Sequence, residues 1–216
     1  MCAQKIVVLD YGAGNLSSVQ NVLRYFGADF VVTSDPKEVE RASTLIFPGD
    51  GEAAASMGEL RRTGLDEALR AFHGSGRKML GICIGCQVIF SHSEERDTRC
   101  LGLLPGEVKR FARSSGLKVP HMGWNSVRFR VSHPVFDGLP QESSFYFIHS
   151  YYPVPADPGH RAAETEYGET FISAVAAGNV VAVQFHPEKS GPVGLRLISN
   201  FLAWDGCWNG GGAPNA

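Results

Sequence analysis

Two short stretches of the chain carry groups suited to acyl chemistry. Residues 78–90 read KMLGICIGCQVIF, so Cys83 ends an apolar run with Gly81 at i−2 and Gly85 at i+2. Glycines around a nucleophile allow a tight strand-to-helix turn with a strained centre. This is the sulfur counterpart of the serine elbow of hydrolases. The turn lifts the side chain onto a helix N-terminus, where the peptide dipole favours thiolate over thiol. It also leaves the next N–H, that of Ile84, free to bind an oxyanion. A thiol nucleophile needs a base, and the base needs an orienting acceptor. Among seven histidines, His186 stands out, because His186-Pro187-Glu188 closes the apolar run 180–185. Side chains two apart on an extended chain point the same way. Glu188 can therefore accept from one ring nitrogen of His186 while the other faces Cys83, and Pro187 stiffens the spacing. His73, His92, His133 and His160 fall in polar loops or at helix ends and read as solvated.

Plainer readings stand beside these. Cys83 fits a buried thiol at a strand end, and His186-Pro187 fits a surface turn. Cys83-Ile84-Gly85-Cys86 is also a C-x-x-C, the spacing of thioredoxin-like redox sites. That reading lacks an aromatic or proline neighbour and leaves the two glycines without a role. Zinc would need a second ligand pair, and no other C-x-x-C occurs. Cys86 reads more simply as a small apolar residue in the first helical turn, and no metal is expected.

The elements that must hold these groups alternate in the first half. Residues 5–10, 29–33, 44–47 and 78–83 read as strands. Residues 16–26, a short segment from Pro36, 64–73 and 85–93 read as helices. Continuous apolar strands interleaved with helices imply an α/β fold, a mostly parallel sheet covered on both faces. In the second half, residues 126–131, 144–152, 161–167, 171–177 and 180–185 read as antiparallel strands, the last two joined at Gly178-Asn179, and 193–204 reads as a closing helix. Residues 1–205 are expected to form one domain and 206–216 a frayed glycine-rich tail. With 216 residues, 44% hydrophobic, the chain can bury a full core. A net charge of −2 with no basic block argues against a nucleic-acid partner. No apolar run reaches the roughly 18 residues of a membrane helix. Residues 1–5 lack the apolar stretch of a signal peptide. Five cysteines, an odd count, argue against a disulfide framework, so the expected location is the cytoplasm.

Taken together, GICIGCQ and QFHPEKS resemble the class I (triad) glutamine amidotransferases, over nearly the whole chain to about Trp204. The resemblance implies a flavodoxin-like amidotransferase domain, a Cys83–His186–Glu188 triad and no cofactor. Further segments, DYGAGN (10–15), HMGWN (121–125) and FIHSYY (147–152), resemble the glutaminase subunits of imidazole glycerol phosphate synthase. That resemblance implies a separate cyclase subunit, a (β/α)8 barrel, in a heterodimer that uses the ammonia for histidine synthesis. It places Asn15, His121, Met122, Trp124, Asn125 and Lys189 toward the cyclase. It gives Gly49, Gly51 and Ile84 to the oxyanion, and Gln87, Glu95 and the Ser150–Tyr151 backbone to glutamine, with Glu95 facing its ammonium. Without the resemblance, Asn15 is a helix N-cap, Trp124 a half-exposed side chain in a glycine- and asparagine-bounded turn, and 146–152 a core strand. One departure stands out: between Gly49 and Gly51, where the family commonly has an apolar residue, this chain has Asp50, expected to point outward. A surface-sugar paralogue, a pyridoxal-phosphate synthase glutaminase, a free γ-glutamyl hydrolase and a regulatory domain with an idle triad remain alternatives. DYGAGN and HMGWN count against the second and third.

Overall fold

The computed structural model describes residues 5–14, 16–112 and 117–210. Asn15, expected at the partner face, lies outside them. The first half runs β1 (Ile6–Leu9), α1 (Leu16–Tyr25), β2 (Phe30–Thr33), α2 (Pro36–Arg41), β3 (Thr44–Phe47), α3 (Ala53–Thr63), α4 (Leu65–Gly74), β4 (Met79–Ile82) and α5 (Ile84–Val88). The second half runs β5 (His92–Ser93), β6 (Thr98–Arg99), β7 (Gly106–Arg110), β8 (His121–Phe129), β9 (Ser143–His149), β10 (Tyr151–Pro155), β11 (Arg161–Glu166), β12 (Thr170–Ala177), β13 (Val180–Val183) and α6 (Gly191–Ala203).

Nine strands form one sheet in the order β2-β1-β3-β4-β13-β12-β11-β8-β9. Pairing is parallel from β2 to β13 and antiparallel from β13 to β9. The continuous apolar runs are explained by burial on both sides. Val7, Leu9, Leu45 and Phe47 enter one core, and Val8, Ile46, Leu80 and Ile82 the other. Helices seal these faces with 3.6-period stripes, such as Leu65, Ala68, Leu69 and Phe72 of α4. A second sheet, β10-β7-β5-β6, flanks the first. Among the described residues, no helix is long and apolar enough to cross a membrane.

Four expectations change. The helix expected over 85–93 stops at Val88, because the returning segment 100–104 takes the carbonyls of residues 88–91, with Leu101 N–H bonding Val88 O at 2.9 Å and Gly102 N–H bonding Phe90 O at 2.7 Å. The turn expected at 121–125 is the first half of β8, paired residue for residue with β9. The strand expected over 144–152 is two strands, broken at Ser150, where the chain passes from the large sheet to the small one. His133 is not solvated. It is buried against Phe136, Trp204 and Trp208, and its Nδ1 accepts from Val135 N–H at 3.1 Å.

Candidate active site

The turn between β4 and α5 centres on Cys83, whose φ of 54° and ψ of −105° lie outside the regions an L-residue favours. Such a residue costs about 1–3 kcal/mol and persists only when its surroundings hold it. Here the Cys83 N–H donates to Val183 O (2.9 Å), and its carbonyl accepts from Cys86 and Gln87 N–H (3.0 and 3.2 Å). Neither flanking glycine has a positive φ. They are required for room instead: a Cβ on Gly85 would fall 1.9 Å from Phe47 O, and one on Gly81 2.9 Å from Gly85 O. The two cysteines of the C-x-x-C diverge, Cys83 toward one core and Cys86 toward the other. Burial, reinforced by Cys83, pushes the Cys86 thiol well up, which disfavours the thiolate that exchange chemistry needs.

His186 follows β13 and is fixed through its backbone. Its N–H donates to Tyr146 O (2.9 Å), and its carbonyl accepts from the Ser190 hydroxyl (2.6 Å), which itself accepts from Tyr146 N–H (3.0 Å). His186 Nδ1 donates to Glu188 Oε1 at 2.7 Å, with both side chains almost fully buried. Nε2 makes no hydrogen bond at normal distance, yet it lies close enough to Cys83 for the two groups to interact. Burial opposes the imidazolium, but Cys83 and Glu188 outweigh it and push His186 up to about 10. The ring is therefore charged at neutral pH and can give a proton to a leaving group.

A cleft of about 210 Å³ opens at Cys83, walled by Gly51, Ile84, Gln87, Glu95, Pro120, Ile148, His149, Ser150 and Tyr151, with exposed Asp50 among its lining residues. It is smaller than the roughly 300–1,000 Å³ of drug-sized sites and suits a small polar molecule. Burial raises the Glu95 carboxyl, whose Oε2 accepts from Ala53 N–H at 2.6 Å, so a cation beside it would relieve the desolvation. Gln87 offers only an acceptor, because its amide nitrogen is already bonded to Tyr151 O and Gln184 Oε1, both at 3.0 Å.

Two expected oxyanion groups are arranged otherwise. The Ile84 N–H is not free; it points to Gly49 O at 3.4 Å, a weak bond. Gly49 backs the cleft rather than lining it, and a Cβ there would fall 2.0 Å from the Tyr11 hydroxyl. The HMGWN side chains separate by strand alternation. Met122 (58% exposed) and Trp124 (59%) stand on the outer face, Trp124 beside Tyr146, whereas His121 is buried and Asn125 half-buried on the inner one. Lys189 is half-buried in the turn after His186. Sequence reasoning missed Gln184, whose Nε2 reaches Cys83 Sγ at 3.8 Å, and also Ser190 and His149. Only Gln184 carried a signal, two residues before His186 in the segment that leaves β13. Among the described residues, no three His, Cys, Asp or Glu side chains cluster to hold a metal.

The family model for glutamine amidotransferase class-I matches residues 7–204. The imidazole glycerol phosphate synthase subunit HisH of Dehalococcoides mccartyi is 49% identical over 198 residues, which are 91% of this chain and 96% of that one. The subunit of the same name from Aromatoleum aromaticum is 47% identical over 92% and 98%. Among solved structures, PurLQS from Thermotoga maritima superposes with a TM-score of 0.72 at 18% identity, over 93% of this chain and 98% of that one. A glutamine amidotransferase from the same organism gives 0.67 at 17%, over 94% and 84%. Likeness at such identities speaks for the fold alone.

Proposed function

Because this chain belongs to the class-I glutamine amidotransferases, in the branch of the HisH subunits of imidazole glycerol phosphate synthase, we propose that it hydrolyses glutamine and supplies the ammonia to a separate cyclase subunit in histidine biosynthesis. The single observation that carries the roles is the strained Cys83 facing a His186–Glu188 pair buried at 2.7 Å. Cys83 thiolate attacks the side-chain amide carbon of glutamine. His186 Nε2–H protonates the departing nitrogen, and ammonia leaves. The imidazole, now neutral, takes a proton from water as it attacks the γ-glutamyl thioester, releasing glutamate and restoring the thiolate. Glu188 holds the ring by Nδ1. Glu95 faces the substrate ammonium, and Gln87 Oε1 and the Ser150–Tyr151 backbone hold its amino-acid end.

The oxyanion requires one rearrangement. With Gly49 O against Ile84 N–H, a carbonyl occupies the side from which donors must act. Turning the Gly49–Asp50 peptide would replace that carbonyl with an N–H and free Ile84 N–H. An arrangement favoured only in the complex would make the isolated chain latent. The partner is a (β/α)8 barrel docking in a heterodimer on the outer face of β8 and β9. There Met122, Trp124, Tyr146 and Ile148 lie together, and the Ile148 backbone carbonyl sits 3.8 Å from Cys83 Sγ. Glutamate release by the complex, in wild type and Cys83→Ala, tests the reading. The variant should be silent with its fold intact, and an active variant overturns it.

A further inference from the structure

A line of hydrogen bonds runs inward from β8 to the wall of the cleft, and the donor on each link can be assigned. The Tyr151 carbonyl only accepts, so His149 Nδ1, 2.8 Å away, carries a hydrogen. His149 Nε2 lies 2.9 Å from His121 Nδ1. Burial pushes His149 down to about 3 and His121 down to about 4, so neither ring takes a second proton near neutrality. His149 Nε2 must then accept, and His121 Nδ1 must donate. His121 Nε2 is left as an acceptor for Asn125 Nδ2 at 3.3 Å. The Asn125 amide is oriented independently, since Nδ2 also donates to Glu166 O (2.9 Å) and Oδ1 accepts from Ser126 N–H (2.8 Å). From Asn125 through His121 to His149, each link donates toward the Tyr151 carbonyl, which also receives Gln87 Nε2.

Packing alone does not require this arrangement. His121 stacks on Tyr167 (4.0 Å between centroids) and Phe147 (4.8 Å), a place a phenyl ring would fill equally well. We infer that His121 and His149, with Asn125, are positioning residues for glutamine, a one-directional relay that holds the Ser150–Tyr151 backbone and the Gln87 amide in register with Cys83. The inference rests on reading the cleft as the glutamine site. The relay begins on the strand whose outer face carries Met122 and Trp124, so the docking face and the substrate-binding backbone share one support.

Two variants at one position separate relay from packing, assayed in the complex with the cyclase subunit. His121→Phe keeps the stacked ring and loses the donor. His121→Asn loses the ring but places an amide N–H where Nδ1 stood. The relay predicts that the Phe variant raises KM for glutamine about tenfold or more while kcat is largely kept, and that the Asn variant stays within about threefold of wild type. A Phe variant that matches or outperforms the Asn variant overturns the relay. Imidazole ¹⁵N spectra give a readout without turnover. Both rings should show the Nδ1–H tautomer, and an Nε2–H signal from either contradicts the assignment. If the wild-type complex releases no glutamate, the reading of the cleft falls and takes this inference with it. If wild type is active and the two variants rank the other way, only the relay falls.

Discussion

Mild acid should unfold this protein through its buried histidines. His121, His133 and His149 are each no more than 5% exposed, and burial pushes them down to about 4, 4 and 3. Their folded values are depressed below the unfolded one near 6.5. Between pH 6.5 and about 4 the unfolded chain takes up protons that the folded chain refuses, so stability falls as pH falls. At pH 5 each group contributes a loss of about 2 kcal/mol relative to neutrality, and three give about 6 kcal/mol, comparable with the whole stability of an ordinary domain. His186 has the opposite sign. Its folded value near 10 gives stability that is fully present below 6.5 and lost as pH rises toward 10, so it neither adds to nor relieves the acid effect. Glu95, raised by burial, offsets part of the loss. Urea denaturation at pH 7, 6 and 5 measures the slope, and His133→Phe should remove about a third of it. An unfolding free energy unchanged between pH 7 and 5 would refute the reasoning.

Other outcomes follow from single contacts. Cys86→Ser should keep most glutaminase activity in the complex, since Cys86 faces the other core. A reversible Cys83–Cys86 disulfide would contradict that. Gly85→Ala should destabilise the fold by about 3 kcal/mol or more, because the new methyl meets the β3 backbone at Phe47 O; a urea midpoint near wild type would count against the close approach. Asp50→Asn should change kcat less than about fivefold, since an exposed carboxylate acts through water at about 1 kcal/mol even at contact; a larger change would place that charge inside the oxyanion site. Trp124→Ala should leave stability within about 0.5 kcal/mol yet weaken docking about tenfold or more, as read by titration with the cyclase subunit.

The grouping of Cys83 with His186 and Glu188 was legible because each of its signals is local. Cys83 between two glycines and the i, i+2 spacing of His186 and Glu188 need no knowledge of distant residues, and the parallel strands show as unbroken apolar runs. Contacts across the chain were not legible. The early end of α5 depends on carbonyls claimed by residues 100–104. Helix α3 was overlooked because Ala53, Ser56, Met57 and Leu60 make a weak stripe between alanines and arginines. The resemblance places the whole of HMGWN toward the cyclase and does not separate its two faces. Pairing with β9 turns alternate side chains inward and gives the ring to His149. The Gly49 carbonyl at Ile84 N–H is a matter of peptide orientation, which residue types do not encode.

The most direct test of the account is to stop the reaction at its covalent stage. The complex with the cyclase subunit is mixed with glutamine, quenched in acid within the first turnover and digested, and the γ-glutamyl thioester is mapped by mass spectrometry. The account predicts the adduct on Cys83, none on Cys86, and little accumulation in His186→Ala, where the acid that protonates the departing nitrogen is missing. An adduct on Cys86, or full glutamate release with no thioester formed on Cys83, would contradict it.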